Sequence, residues 1–325
     1  MLRSEPAMAQ ATGAAPRMAW IDICKGAMIL LVVLLHSSSY FKAQGGEVPP
    51  FVTAATAFFA PMRMPTLIFL SGLLASRGLR KGARGFLLHR LRILLWPYLV
   101  WSVLWALASG HADRLVEPEG WLGGWYLWFL LFIMAFSIVA ALVPLRFHLV
   151  AAAYAFLASL ACEDGTKYGE RLLFFLALFL VGSFLGRERE RMEAWLGDRL
   201  LLWTLMPAII AVCLYSAIER TIRYSPHDAL PILIVVAGVL AAGIQVAGRH
   251  PLPLLQAMGR HSLTIYLVHM PVIAITLRGL PLVGISSFAP TFAMSVALGL
   301  AASAAMIAAR RRYRAVDALF HFPGA

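Results

Sequence analysis

Ten runs of this chain are apolar enough to cross a bilayer, and no other feature restricts its fold so severely. They cover residues 20–40, 54–76, 86–108, 122–143, 147–161, 171–186, 200–217, 230–247, 262–278 and 285–309. Hydrocarbon offers no water to satisfy backbone N–H and C=O groups, so only helices and closed barrels span it. Most of these runs have the helical spanning length of about 17–25 residues, the fifth and sixth being shorter. At 61% hydrophobic and 14% charged, the chain stands well away from soluble domains, which are about 25% charged. The expected fold is an all-α polytopic integral membrane protein of about ten transmembrane helices.

Twenty-eight Lys and Arg against sixteen Asp and Glu give a net charge of +12. In a soluble chain that surplus would suggest a nucleic-acid partner; between membrane spans it marks the cytoplasmic side. Nineteen basic residues, from Arg3 and Arg17 through Arg77, Arg80, Lys81 and Arg84 to Arg310, Arg311, Arg312 and Arg314, fall in one set of segments, and seven fall in the other. Both termini are therefore expected in the cytoplasm, with membrane lipids and not nucleic acid as surroundings, and a bacterial inner membrane as location. Cys24, Cys162 and Cys213 show no paired or Cys/His spacing, so neither a disulfide framework nor a metal site is expected. Residues 1–16 read as a disordered lead, 17–314 as a single membrane domain and 315–325 as a short cytoplasmic tail.

The first span, WIDICKGAMILLVVLLHSSSY, carries Asp22, Lys25 and His36 inside an apolar run. At about 100° per residue the three fall on one stripe. Ionisable groups at that depth mark a functional site by default. His36 lies about 24 Å along the axis from Trp20, in the outer half. The second span, FFAPMRMPTLIFLSG, runs back and sets Arg63 about nine residues from its outer end, at a similar depth. A neutral His can take a hydroxyl proton, and a guanidinium can steady an oxyanion. The structural alternatives are a histidine bonded to a carbonyl and an arginine serving a helix broken by Pro61 and Pro65. Asp22 and Lys25, three apart, suit an interfacial ion pair equally well.

Four other stretches bear polar or aromatic groups. HRLRILLWPY places Arg90 and Arg92 where a phosphate-bearing ligand could be gripped. GGWYLWFLLF offers Trp125 and Tyr126 as an interfacial belt or a sugar-stacking platform. GRHSLTIYLVH sets Tyr266 and His269 three apart, with His269 about 10 Å from the cytoplasmic end of its helix. RERERMEAWLGDR reads as a solvated charged segment.

Taken in order, WIDICKGAMILLVVLLH, MRMPTLIFLSG, HRLRILLWPY, WYLWFL and GRHSLTIYLVH resemble the membrane-bound acyltransferase 3 family over residues 17–270. The resemblance implies transfer of an acyl group, usually acetyl, from a CoA thioester such as acetyl-CoA to a hydroxyl of a sugar, glycan or lipid-linked acceptor. It implies His36 as the catalytic residue, with Arg63 and Asp22 beside it, and a donor site at Lys25, Arg90 and Arg92. Lys25 stands where the family often has Arg, and His89 takes the first place of its paired-arginine motif. Trp125, Tyr126, Tyr266 and His269 are left for the acceptor. The chain would act alone, as a homodimer, or by passing the acyl group to a separate partner. The competing reading is a transporter or flippase using the same polar path, although no internal repeat supports it.

Overall fold

Each of the ten apolar runs carries a helix in the computed structural model, which describes residues 18–117, 121, 126–162, 168–219 and 224–322. No strand occurs among the described residues. The expected disordered lead, residues 1–16, and Trp125 lie outside them. Among the described residues, seven helical stretches are long and apolar enough to cross a membrane, or up to eight if one bent pair is a single span.

The first span is α1 (Ala19–Ala43). The second divides into α2 (Pro50–Phe58) and α3 (Ala60–Leu79), with a proline in the first turn of each, where a missing N–H costs nothing. The third is α4 (Ala83–Arg90), a π-helical turn at Leu91–Leu95, and α5 (Trp96–Ser109). Then follow α6 (Trp128–Leu142), α7 (His148–Ala161) and α8 (Glu170–Leu185), of 15, 14 and 16 residues. At 1.5 Å per residue these reach roughly 21–24 Å, short of the ~30 Å hydrocarbon layer. The chain turns by 112° between α6 and α7, at Pro144. The remaining helices are α9 (Arg189–Leu196), α10 (Arg199–Glu219), α11 (Ala229–Ala247), α12 (Pro253–Arg260), α13 (Ser262–Gly279), α14 (Phe288–Arg312) and α15 (Arg314–Asp317).

Helix α1 packs against α3, α11, α12, α13 and α14 and so forms the axis of the bundle. Burial separates core from perimeter: 72% of the most apolar window of the α13 span and 61% of the α2–α3 span are buried, against 11% for α10 and 17% for α14. The buried residues of α14 are Thr291, Ser295, Gly299 and Ser303, one every fourth position, so a stripe of small side chains faces α13 and the rest faces outward. Helices α1 and α12 approach so closely that a Cβ on Gly26 would lie 2.0 Å from the Leu255 carbonyl oxygen, and one on Gly259 would lie 1.8 Å from that of Asp22. Only glycine permits this crossing.

The arginine-bearing segments meet at one end of the bundle. Trp20 Nε1 donates to Glu193 at 2.9 Å, and Arg189 contacts the Met18 sulfur. Across the same end, Arg310 bonds the Thr264 hydroxyl at 2.5 Å and Asp317 at 2.9 Å. Residues 314–322 fold back under α5. Trp96 and Trp101 donate to the carbonyls of Ala318 and Leu319, and Phe320 is fully buried beneath Arg310. The described part of the expected tail, residues 315–322, thus forms a packed strap.

Candidate functional site

His36 and His269 meet where α1 packs on α13. His36 Nδ1 and His269 Nε2 are 2.9 Å apart. Their ring centroids are 5.1 Å apart with planes 16° from parallel, the geometry of two imidazoles joined nitrogen to nitrogen in one plane rather than stacked face to face. His269 Nδ1 lies 2.9 Å from the Ile265 carbonyl oxygen. A carbonyl can only accept, so His269 Nδ1 carries the proton, and its Nε2, in the neutral ring, must accept. His36 then donates through Nδ1, and its Nε2 keeps a bare lone pair. His269 is fully buried, whereas His36 retains partial exposure. The lone pair therefore belongs to the one ring of the pair that is not fully buried.

Aromatic side chains hold the pair in place. Tyr126 meets the His269 ring edge-on at 5.8 Å and donates its hydroxyl to the Leu267 carbonyl at 2.7 Å. Tyr266 donates to the Tyr126 carbonyl and lies 6.0 Å from His269. Trp105 packs between Tyr126 and Tyr40. Both tyrosine hydroxyls are thus engaged with main chain, and both nitrogens of His269 have partners. Gly299 of α14 closes against the His269 Cβ, the place where its stripe of small residues matters most.

Arg63 lies within electrostatic range of His36, as the matched depths of the two helices anticipate. It is buried, and its Nη1 donates to the Thr56 carbonyl at 2.6 Å, across the break between α2 and α3. That break leaves other carbonyls to satisfy. Pro61 has no N–H for Ala57, whose oxygen accepts from Ser216 of α10 at 2.7 Å. Tyr224 donates to Ala60 at 3.0 Å and accepts from Arg63. Burial pushes the Tyr224 phenol up, against the pull of Arg63 and Arg171. Tyr224 also holds a left-handed φ of 62°, which costs a bulky residue about 1–2 kcal/mol. Arg63 therefore fastens a broken helix and still keeps its Nε, buried and without a protein partner, for something else.

The remaining sequence-derived residues fall elsewhere. Asp22 is 14 positions before His36 on one continuous helix, about 21 Å away along the axis. Its charge acts on Lys25, and it is not brought to His36. Lys25 also lies within electrostatic range of Arg90, so two of the three proposed donor-site cations do converge. Arg90 rests over the Phe86 ring and helps line a cavity of about 390 Å³ with Arg77, Lys81 and His89. Arg92, two residues on in the π-helical segment, is exposed. No group of three or more His, Cys, Asp or Glu side chains among the described residues is placed to hold a metal ion.

Sequence reasoning missed the bond between His36 and His269 and the part played by Tyr224. The two histidines are 233 positions apart. Counting each helix from its own cytoplasmic end put them at depths of about 24 Å and 10 Å, and such a count is blind to tilt and stagger. Tyr224 lies in a loop and carried no helical periodicity to read.

A family model described as an acyltransferase domain matches residues 18–309. No curated protein and no solved structure matches the chain.

Proposed function

The chain belongs to the acyltransferase 3 family, and from that premise we propose that it moves an acetyl group from acetyl-CoA in the cytoplasm to a hydroxyl of a sugar, glycan or lipid-linked acceptor. It is an integral membrane acyltransferase; the donor, the acceptor and the residues that act are the substance of the proposal. The bacterial inner membrane is the location it implies. The observation that carries the reading is the His36–His269 bond, because it leaves a bare nitrogen lone pair inside a membrane protein.

That lone pair serves transfer directly. As the acceptor oxygen attacks the thioester carbonyl, His36 Nε2 takes the hydroxyl proton; as the carbon–sulfur bond breaks, it returns the proton to the departing thiolate. The same nitrogen could instead attack the thioester and carry the acyl group between two half-reactions. Arg63, through its unspent Nε–H, would stabilise the oxyanion of either addition. Tyr126 and Tyr266 act by locking His269, and through it the tautomer of His36. The donor's phosphates are assigned to Lys25, Arg90 and the cavity beside them, with Arg92 at its rim. Lys25 and His36 are 11 residues apart, so the thioester arm must climb about 16 Å along α1. The family match favours this reading over the transporter one.

The test is radiolabel transfer from acetyl-CoA in membranes carrying wild-type or His36→Ala protein, with lipid and glycan fractions extracted separately. Label that enters one fraction and depends on His36 supports the reading and identifies the acceptor class. Equal labelling by both proteins would sink it.

A further inference from the structure

The charged segment after α8 does more than face solvent. Arg187, Arg189 and Arg191 converge with Arg77 and Arg80, at the end of α3, around a cavity of about 390 Å³. Arg189 is ion-paired to Glu193 at 3.4 Å and lies 4.0 Å from Glu190. Among the described residues, Arg77, Arg80, Arg187 and Arg191 have no carboxylate within ion-pair distance. Five arginines against Glu188 and Glu190 leave the cavity lining with a net positive charge at the basic end of the bundle.

Next to it lies a groove of about 700 Å³ walled by Phe69, Val181, Phe184, Leu185, Trp195 and Leu233, almost wholly apolar. Glu188 and Arg191 line both spaces, so the groove adjoins the arginine cavity. Helix α9 forms part of its wall. It buries Met192 and Leu196 and leaves Trp195 63% exposed, the pattern of a helix lying at a membrane interface.

We infer that this paired cavity and groove is a binding site for an anionic glycerophospholipid of the cytoplasmic leaflet. The phosphate sits among Arg77, Arg187 and Arg191, and one acyl chain lies in the groove along α3, α8 and α11. Charge selects the ligand: a zwitterionic lipid would bring its own ammonium against the arginines. A free phosphate compound would satisfy the arginines and leave the groove without a use. The site does not depend on the acyl-transfer reading, although it shares Arg77 with the cavity at Arg90.

The experiment is native mass spectrometry of the detergent-purified chain titrated with phosphatidylglycerol or phosphatidylcholine of identical chains. Phosphatidylglycerol should be retained about tenfold more tightly. Each of Arg187→Gln and Arg191→Gln should lower that retention about fivefold, the usual worth of one basic residue at an anionic surface. Val181→Trp, which fills the groove without altering charge, should weaken it as well. Inorganic phosphate and coenzyme A, added as competitors, should not displace the lipid. Equal retention of the two lipids would overturn the inference, as would indifference to the arginine variants. Displacement by phosphate or coenzyme A with a silent Val181→Trp would assign the arginines to a soluble ligand instead. Elution volume on gel filtration establishes that each variant is folded.

Discussion

His148 and His269 are both fully buried, yet they are wired differently. At the 112° corner between α6 and α7, His148 Nε2 faces the carbonyls of Ala140 and Val143 at 3.1 and 3.0 Å, and Nδ1 accepts from Ser183 at 3.0 Å. Every bond ends on main chain or on a hydroxyl of a neighbouring helix. His148 is a fastener for carbonyls that the corner leaves unpaired. His269 begins in the same way, on the Ile265 carbonyl, but its second nitrogen passes to His36, a ring that still has an accessible face. Burial alone therefore says little about a histidine's role. What separates the two is whether the chain of hydrogen bonds closes inside the protein or stops at a free lone pair.

Substitutions can break or sharpen that contrast. The largest effect is expected at the open end of the chain: His36→Ala should lower acyl transfer about 10²–10⁴-fold with little change in stability, measured by label transfer and thermal unfolding together. His269→Leu should cost about 10–100-fold, the usual loss when a ligand's orienting partner is removed. Because it acts through His36, the loss should fall on kcat and spare KM, and His269→Gln, whose amide oxygen can accept from Nδ1–H, should recover part of it. Arg63→Lys belongs to both classes. It keeps charge but loses the fork that reaches Thr56, so roughly tenfold in activity and about 1–3 kcal/mol in stability should go together.

At the closed corner the outcome reverses. His148→Leu leaves two carbonyls and a hydroxyl without their partner, which should lower stability by about 1–3 kcal/mol while turnover per folded molecule stays at the wild-type level. Equal losses of turnover from His148→Leu and His269→Leu would erase the distinction. The smallest effect belongs to the strap at the basic end. Burial raises the Asp317 carboxyl, but Arg310 and His321 outweigh it and hold it below its ordinary value. A depressed carboxylate stabilises fully above the unfolded pKa of about 3.9 and loses that contribution as pH falls through the lower folded value. Trp96 and Trp101 fluorescence should therefore report release of the strap only in strong acid, and Asp317→Asn should abolish that pH dependence.

Much of this was legible in the sequence, and the remainder was hidden for identifiable reasons. Apolar run length located the long helices, because the bilayer imposes one length scale on them, but not the short α9, α12 and α15, which lie outside the apolar runs. Pro61 and Pro65 announced the broken second span, and depth matching paired Arg63 with His36. It failed for His269, since rise per residue carries no information about how two helices lean. The runs at α6 and α7 were legible as two apolar spans, but the sharp corner between them was not, because Pro144 ends a helix without specifying the angle that follows. The arginines after α8 looked like an ordinary solvated loop, for their meaning depends on a groove formed by residues as distant as Phe69 and Leu233.

The 233 positions between His36 and His269 also bear on how the protein is made. One member of the pair belongs to α1 and the other to α13, which is synthesised later. On the proposed reading, a nascent chain holds its catalytic ring idle while the 233 positions up to His269 are made, with the Nδ1 proton lacking its acceptor. Activity would switch on only when α13 is inserted against α1.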